Sequence, residues 1–182
     1  YTQNTIAIVP ASGGAPTLIA ASLDRDVEEL RWSQDGKTLF FLMADDRTGP
    51  FAQVSLETGA VTRLLDGRRL VSSYDMTTNG RTVVNVATAQ KSAEVFALEN
   101  GALRALTHVN DSIFAALRVG ITEDVSFKNK DGLTVGALLV KPADFKPGVK
   151  YPLLLRIHGG PNAQDQHAFS FERELFAANG YL

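Results

Sequence analysis

Turn and strand signals recur along this chain at intervals of 42 to 45 residues, and that period restricts the fold more than any other feature. Trp32-Ser33-Gln34-Asp35-Gly36-Lys37-Thr38-Leu39-Phe40-Phe41 is echoed by Met76-Thr77-Thr78-Asn79-Gly80-Arg81-Thr82-Val83-Val84, with the glycines 44 residues apart. Gly59-Ala60-Val61-Thr62-Arg63-Leu64-Leu65 returns 42 residues later as Gly101-Ala102-Leu103-Arg104-Ala105-Leu106-Thr107. An earlier copy, Gly14-Ala15-Pro16-Thr17-Leu18-Ile19, lies 45 residues upstream. About 40–45 residues is the length of one four-stranded propeller blade.

The pattern inside one period agrees. Residues 29–33, 38–44, 51–57 and 61–65 are short segments rich in β-branched and aromatic side chains, which predicts four strands. The next period predicts strands over 70–75, 82–87, 94–98 and 103–106. Asp35-Gly36, Asp45-Asp46-Arg47-Thr48-Gly49-Pro50, Asn79-Gly80 and Asn100-Gly101 supply the turns. Residues 1–20 read as the last two strands of an earlier blade. A plain antiparallel meander is the alternative arrangement of the same strands.

The pattern changes after His108. Asp111-Ser112-Ile113-Phe114-Ala115-Ala116-Leu117-Arg118-Val119-Gly120 predicts a short connecting helix with Asp111 near its N-cap and Gly120 as its terminator. Residues 123–127 and 133–140 predict a hairpin across Asn129-Lys130-Asp131-Gly132, and 141–150, with Pro142 and Pro147, a surface loop. Leu153-Leu154-Leu155-Arg156-Ile157 predicts a strand buried on both faces of a mixed or parallel sheet. Residues 169–178 predict a helix with Phe171, Leu175 and Ala178 on its apolar face and Gly180 at C′. Tyr181-Leu182 opens a further strand.

Composition removes several functions. Among 182 residues there is no cysteine, which excludes a disulfide scaffold, a thiolate metal site and a cysteine nucleophile. A net charge of -2 offers no electrostatic case for nucleic acid or an anionic membrane. No apolar run reaches the roughly 18 residues of a membrane span. No cofactor motif is present, neither a phosphate-binding Gly-x-x-x-x-Gly-Lys nor a dinucleotide fingerprint. The chain opens on Tyr1 rather than methionine, so translation is expected to start upstream. The absence of cysteine leaves the compartment unknown, with cytoplasm slightly favoured over periplasm or secretion.

The chemistry lies in His158-Gly159-Gly160-Pro161, directly after the apolar run. Acyl transfer needs backbone N–H groups aimed at the oxyanion of a tetrahedral intermediate, and glycines at a strand end let substrate approach the backbone. Pro161 fixes the exit direction and offers no N–H. The order of blade repeats, connecting helix, hairpin, proline-bearing loop and Tyr151-Pro-Leu-Leu-Leu-Arg-Ile-His-Gly-Gly-Pro161 resembles the prolyl oligopeptidase family of serine peptidases, most closely its acylaminoacyl-peptidase branch. The resemblance covers essentially the whole chain. Its specific part is residues 123–182, including Phe176-Ala177-Ala178-Asn179-Gly180-Tyr181, whereas the Trp32 repeat is similar to the broader TolB type.

The resemblance implies the C-terminal portion of a β-propeller over residues 1–108, a connecting segment over 109–122, and the N-terminal part of an α/β-hydrolase domain over 123–182. It implies short peptides as substrates, cleaved between propeller and hydrolase, with the remainder of the same polypeptide as structural partner. Self-association of the parent protein stays open. Gly160 matches the glycine whose N–H helps form the oxyanion hole, and Gly159 and Pro161 shape the loop. His158 matches a motif histidine that is not the general base, and is expected as a buried ring holding the loop.

One departure matters. None of the ten serines sits in a Gly-x-Ser-x-Gly nucleophile elbow, so the serine, acid and base are expected beyond Leu182 and the segment alone is expected to be inactive. His108 and His167 lack neighbours at metal-ligand spacing, and no metal site is expected. His167 and Asp165 are expected on a solvated loop, with the substrate cavity as the alternative. Asp24, Asp26, Glu28 and Glu29 are expected on a solvated strand edge, unless they face a central cavity and attract a peptide N-terminus. A TolB-like binding propeller with a vestigial extension and a carboxylesterase on the same core are the competing functions.

Overall fold

The computed structural model describes residues 3–160 and 163–182. A hairpin of β1 (Ile6–Ile8) and β2 (Thr17–Ile19) precedes two four-stranded antiparallel meanders. The first runs through β3 (Val27–Trp32), β4 (Thr38–Met43), β5 (Phe51–Ser55) and β6 (Val61–Leu65), each strand pairing with the next. The second repeats that order through β7 (Leu70–Met76), β8 (Thr82–Thr88), β9 (Lys91–Glu99) and β10 (Ala102–Ala105). These are propeller blades, and the repeat seen in the sequence is a repeat of hydrogen bonds. Ser33 Oγ donates to Asp35 Oδ1 and Thr77 Oγ1 to Asn79 Oδ1, both at 2.6 Å. Gly36 and Gly80, at φ +67° and +82°, follow these polar residues and donate to the carbonyls of Ser33 and Thr77.

Alternation sorts β4 between two cores. Leu39, Phe41 and Met43 face the β1–β2 hairpin with Ile6, Val27, Ala52 and Val54. Leu42 faces the second blade with Phe51, Leu65, Val71, Tyr74, Val84 and Val86. Tyr74 packs on Phe51 at a ring separation of 4.5 Å. Its hydroxyl donates toward the carbonyls of Glu29 and Phe40, the latter at 3.0 Å. Glu29 lies in the irregular stretch of β3 between Glu28 and Arg31, at φ +56°. The Tyr74 hydroxyl therefore receives a carbonyl that the interrupted ladder leaves free.

The second part of the chain opens with α1 (Asp111–Ala116), followed by the hairpin of β11 (Ile121–Lys128) and β12 (Thr134–Lys141) and then α2 (Phe171–Ala178). Four details differ from expectation. First, α1 begins after Asn110 and stops at Ala116, so Gly120 does not terminate it. Gly120 is needed elsewhere: a β-carbon there would sit 2.6 Å from the Lys141 carbonyl, and its N–H donates to Glu174 Oε2 at 2.6 Å.

Second, α2 turns the other way. Ser170 caps it, accepting from Arg173 N, yet Phe171 and Leu175 are exposed and the buried residue is Ala177. Polar anchoring sets that rotation, because Glu174 binds Gly120 while Arg173 donates to the carbonyls of Gln166 and Ala168. Third, residues 153–157 are not buried: Leu155 and Ile157 are 81% and 80% exposed. Nothing among the described residues covers either face of this run. Its backbone nonetheless follows the expected parallel pattern, with Leu182 N donating to Pro152 O at 2.9 Å and Leu154 N to Leu182 O at 2.8 Å. Two bonds do not make the predicted strand, and residues 153–157 are an extended run that lies with α2 and Leu182 in the order of a β-α-β crossover. Fourth, His158 is exposed rather than buried.

Replacing Tyr74 by Phe strands the Glu29 carbonyl, and is expected to cost about 1–3 kcal/mol in urea unfolding at neutral pH. Burial pushes the Tyr74 phenol up to about 12. The folded chain therefore keeps a proton that the unfolded chain loses near 10. Stability should fall as pH rises from 10 toward 12, and that part of the alkaline loss should vanish in Tyr74→Phe.

Candidate active site

Two loops frame the glycine motif. After β12, Lys141 Nζ donates to Glu123 Oε2 at 2.6 Å and lies 4.8 Å from the Phe145 ring centroid. Phe145 packs on Tyr151 at 5.1 Å, and Tyr151 Oη accepts from Lys146 N. The proline-bearing loop is thus tied down, and the chain leaves it in an extended run toward residues 158–160. Arg156 anchors this run from outside, donating to Asp165 Oδ1 at 2.6 Å and pairing with Glu172 at 3.1 Å. Asp165 is therefore half-buried in an ion pair and does not sit on a free loop.

The glycine motif itself is open. Gly160 has φ +147°, a backbone region that residues with a β-carbon seldom enter. A β-carbon built on Gly159 would meet nothing within 4 Å. His158 Nδ1 lies 3.0 Å from the Gly159 carbonyl. Among the described residues, the N–H groups of Gly159 and Gly160 have no acceptor. Pro161 lies outside the described residues.

Beyond the motif, the chain binds the first blade. His167 is 2% exposed, which overturns both the solvated-loop and the cavity-lining expectations. Its Nε2 lies 2.8 Å from Asp124 Oδ1 on β11, and its backbone N–H donates to Arg47 O at 2.8 Å. Asp124 also pairs with Arg68 at 2.7 Å and with Arg47 at 3.3 Å. Burial pushes the Asp124 carboxyl up, but the His167 bond and the surrounding positive charge outweigh it and hold the carboxyl below its ordinary value. Sequence reasoning missed this cluster of Arg47, Arg68, Asp124, Gln164 and His167. Its members are scattered over 120 positions, and the one local signal is an arginine in a hairpin turn that favours glycine or asparagine.

The acidic residues near the chain's start divide. Asp26 and Glu28 line a cleft of about 330 Å³ at the blade junction, together with Leu42, Gly49, Leu70 and Gln166. Asp24 pairs loosely with Arg25. His108 pairs with Asp111 at 2.9 Å on the surface. Among the described residues, no three His, Asp or Glu side chains converge as metal ligands would.

Comparison with known proteins agrees with this architecture. No family model matches the chain. The uncharacterized peptidase YuxL of Bacillus subtilis is 26% identical over 170 residues, covering 92% of this chain and 26% of its own. Dipeptidyl-peptidase 5 of Porphyromonas gingivalis is 25% identical over 173 residues, 93% of this chain and 25% of that protein. Among solved structures, an acylaminoacyl peptidase in complex with Z-Gly-Gly-Phe-chloromethyl ketone superposes with a TM-score of 0.83 at 25% identity, over 98% of this chain and 27% of that one. The chain spans about a quarter of the length of the curated relatives it matches. Its fold is that of propeller blades followed by the first part of an α/β-hydrolase. It matches a segment of a prolyl oligopeptidase-family peptidase.

The Asp124 cluster has a definite pH signature. A carboxyl whose folded pKa is depressed adds stability above its ordinary pKa of 3.8, and loses it as pH falls through the lower folded value. Asp124→Asn is therefore expected to lower the melting temperature at pH 7, with the gap from wild type closing below about pH 4. A gap that stays constant down to pH 2 would contradict the pairing.

Proposed function

We propose that this chain is the junction of a propeller and a hydrolase in a serine peptidase acting on short peptides or acylaminoacyl-peptides. Residues 1–108 form the propeller portion, 109–122 the connection and 123–182 the start of the catalytic domain. One observation carries the reading: an extended run in parallel pairing with Leu182 ends in Gly159 and Gly160, whose N–H groups have no acceptor among the described residues, with an empty β-position at Gly159 and φ +147° at Gly160. In open α/β sheets, ligands bind at the carboxyl ends of the strands, and this motif sits at such an end.

The chemistry follows from that placement. A serine hydroxyl, deprotonated by histidine, attacks the scissile carbonyl and forms the tetrahedral intermediate. Its oxyanion accepts from the Gly160 N–H and from a donor next to the nucleophile. Collapse expels the amine, which takes its proton from the histidine, and water then cleaves the acyl-enzyme. Serine, histidine and acid are supplied by the parent polypeptide, since no nucleophile elbow occurs in residues 1–182. The propeller acts as a size filter, admitting short unfolded peptides. That the relatives are named as peptidases supports amide rather than ester substrates in this reading.

The exposed apolar surface supports the same reading. Leu153, Leu155 and Ile157 on the run and Phe171, Leu175 and Phe176 on α2 form faces that a sheet and its covering helices would bury. The 182-residue chain made alone is expected to be catalytically inactive and to self-associate in size-exclusion chromatography with light scattering; a monodisperse monomer would count against it. The intact polypeptide is expected to cleave peptide p-nitroanilides in preference to simple p-nitrophenyl esters. Gly160→Ala keeps the N–H but strains a backbone at φ +147°, so it should lower kcat by about 100-fold and lower the melting temperature as well. An intact protein that cleaves no peptide bond would overturn the proposal.

A further inference from the structure

The turn between β4 and β5 is closed by Asp46 and Arg47, at φ +37° and +69°. Asp45 N donates to Thr48 O at 3.1 Å, and Thr48 N to Asp45 O at 2.8 Å. A β-carbon makes this left-handed conformation costly for arginine, so something must hold it. Two groups of contacts do. At the base of the turn, the buried Asp45 carboxylate accepts from Arg25 and Arg63. At its tip, the Arg47 side chain crosses to the β11–β12 hairpin and donates to the carbonyls of Val125 and Ala137, both at 3.1 Å. The turn is a rigid post that reaches from the blade to the hydrolase.

The backbone of this post is bound by the segment after the glycine motif. Gln164 Oε1 accepts from Arg47 N at 2.9 Å, and Gln164 Nε2 donates to Thr48 O at 2.9 Å. His167 N donates to Arg47 O at 2.8 Å. One amide side chain thus imitates a strand partner for the turn. Gln164 stands four residues beyond Gly160, and such a chain spans at most about 3.6 Å per residue. We infer that Gln164 is a positioning residue: it fixes the glycine motif against the propeller, so that the oxyanion donors hold their aim only while the blade is seated. This rests on the role proposed for Gly160. A blade that lifts from the hydrolase breaks the Gln164 and His167 bonds and frees the downstream anchor of the donors.

The test uses the intact polypeptide carrying Gln164→Ala or Gln164→Glu. Kinetics are followed with a peptide p-nitroanilide. Inhibition is measured with a peptide aldehyde, which forms a tetrahedral oxyanion adduct, and with the product peptide, which does not. Gln164→Ala is expected to lower kcat by about 10- to 100-fold with KM within about twofold, and to weaken the aldehyde but not the product by a similar factor. Gln164→Glu keeps the acceptor for Arg47 N and loses the donor to Thr48 O, so it should fall between Ala and wild type. Should Ala fail to fold, Glu carries the same comparison. An unchanged kcat, or equal weakening of aldehyde and product, overturns the inference. An inactive wild type sinks the reading of Gly160 and this inference with it; an active wild type with an unaffected Gln164→Ala sinks this inference alone.

Discussion

A four-stranded sheet that is apolar on both faces cannot stand by itself, and the architecture follows from that constraint. In β4, Leu39, Phe41 and Met43 project one way and Leu42 the other, and both sets are buried. Burying large aliphatic and aromatic side chains is worth roughly 1.5–3 kcal/mol each, enough to make stacking of neighbouring sheets obligatory. Each blade therefore needs a neighbour on each side, which is the condition a closed ring satisfies. The β1–β2 hairpin and the second blade fill these roles for the first one. Edges are handled in the same way, by covering rather than by charge alone: Gly49 pairs with Leu70 and bridges the two meanders.

Against this apolar stacking, the contact between blade and hydrolase is polar. Arg47, Arg68, Asp124, Gln164 and His167 meet there through directional bonds, and Glu94 binds the connecting segment by accepting from Thr107 Oγ1, Asn110 N and Asn110 Nδ2. Such bonds fix orientation strongly while adding modest net stability, because water would satisfy the same groups. The two kinds of contact divide the labour: packing decides that blades stack, and hydrogen bonds decide how the hydrolase sits on them. A junction of this sort separates without exposing a large apolar area.

The strands and turns were legible because they depend on local chemistry. Asp35-Gly36, Asn79-Gly80 and Asn129 with Gly132 are turns by composition, and alternation between them is a property of consecutive residues. What escaped depends on partners far along the chain. The stripe of Phe171, Leu175 and Ala178 names an apolar face correctly but not the direction it points, since Glu174 and Arg173 rotate α2 by binding Gly120, Gln166 and Ala168. Gly120 reads as a helix stop in sequence, whereas its reason is the close approach of the Lys141 carbonyl. His167 looks like a loop residue until Asp124, 43 positions earlier, is placed beside it. The glycine motif was legible as a motif; the post that braces it was not.

The two exposed apolar surfaces belong to one design. Parallel strands are covered on both faces because their crossovers lay helices there. The run over residues 153–157 has begun such a sheet by pairing with Leu182, and α2 is its first crossover. The outward stripe on α2 and the open faces of Leu155 and Ile157 are then surfaces of the same unfinished layering. Gln164, four positions beyond Gly160, binds the blade at Arg47 and Thr48.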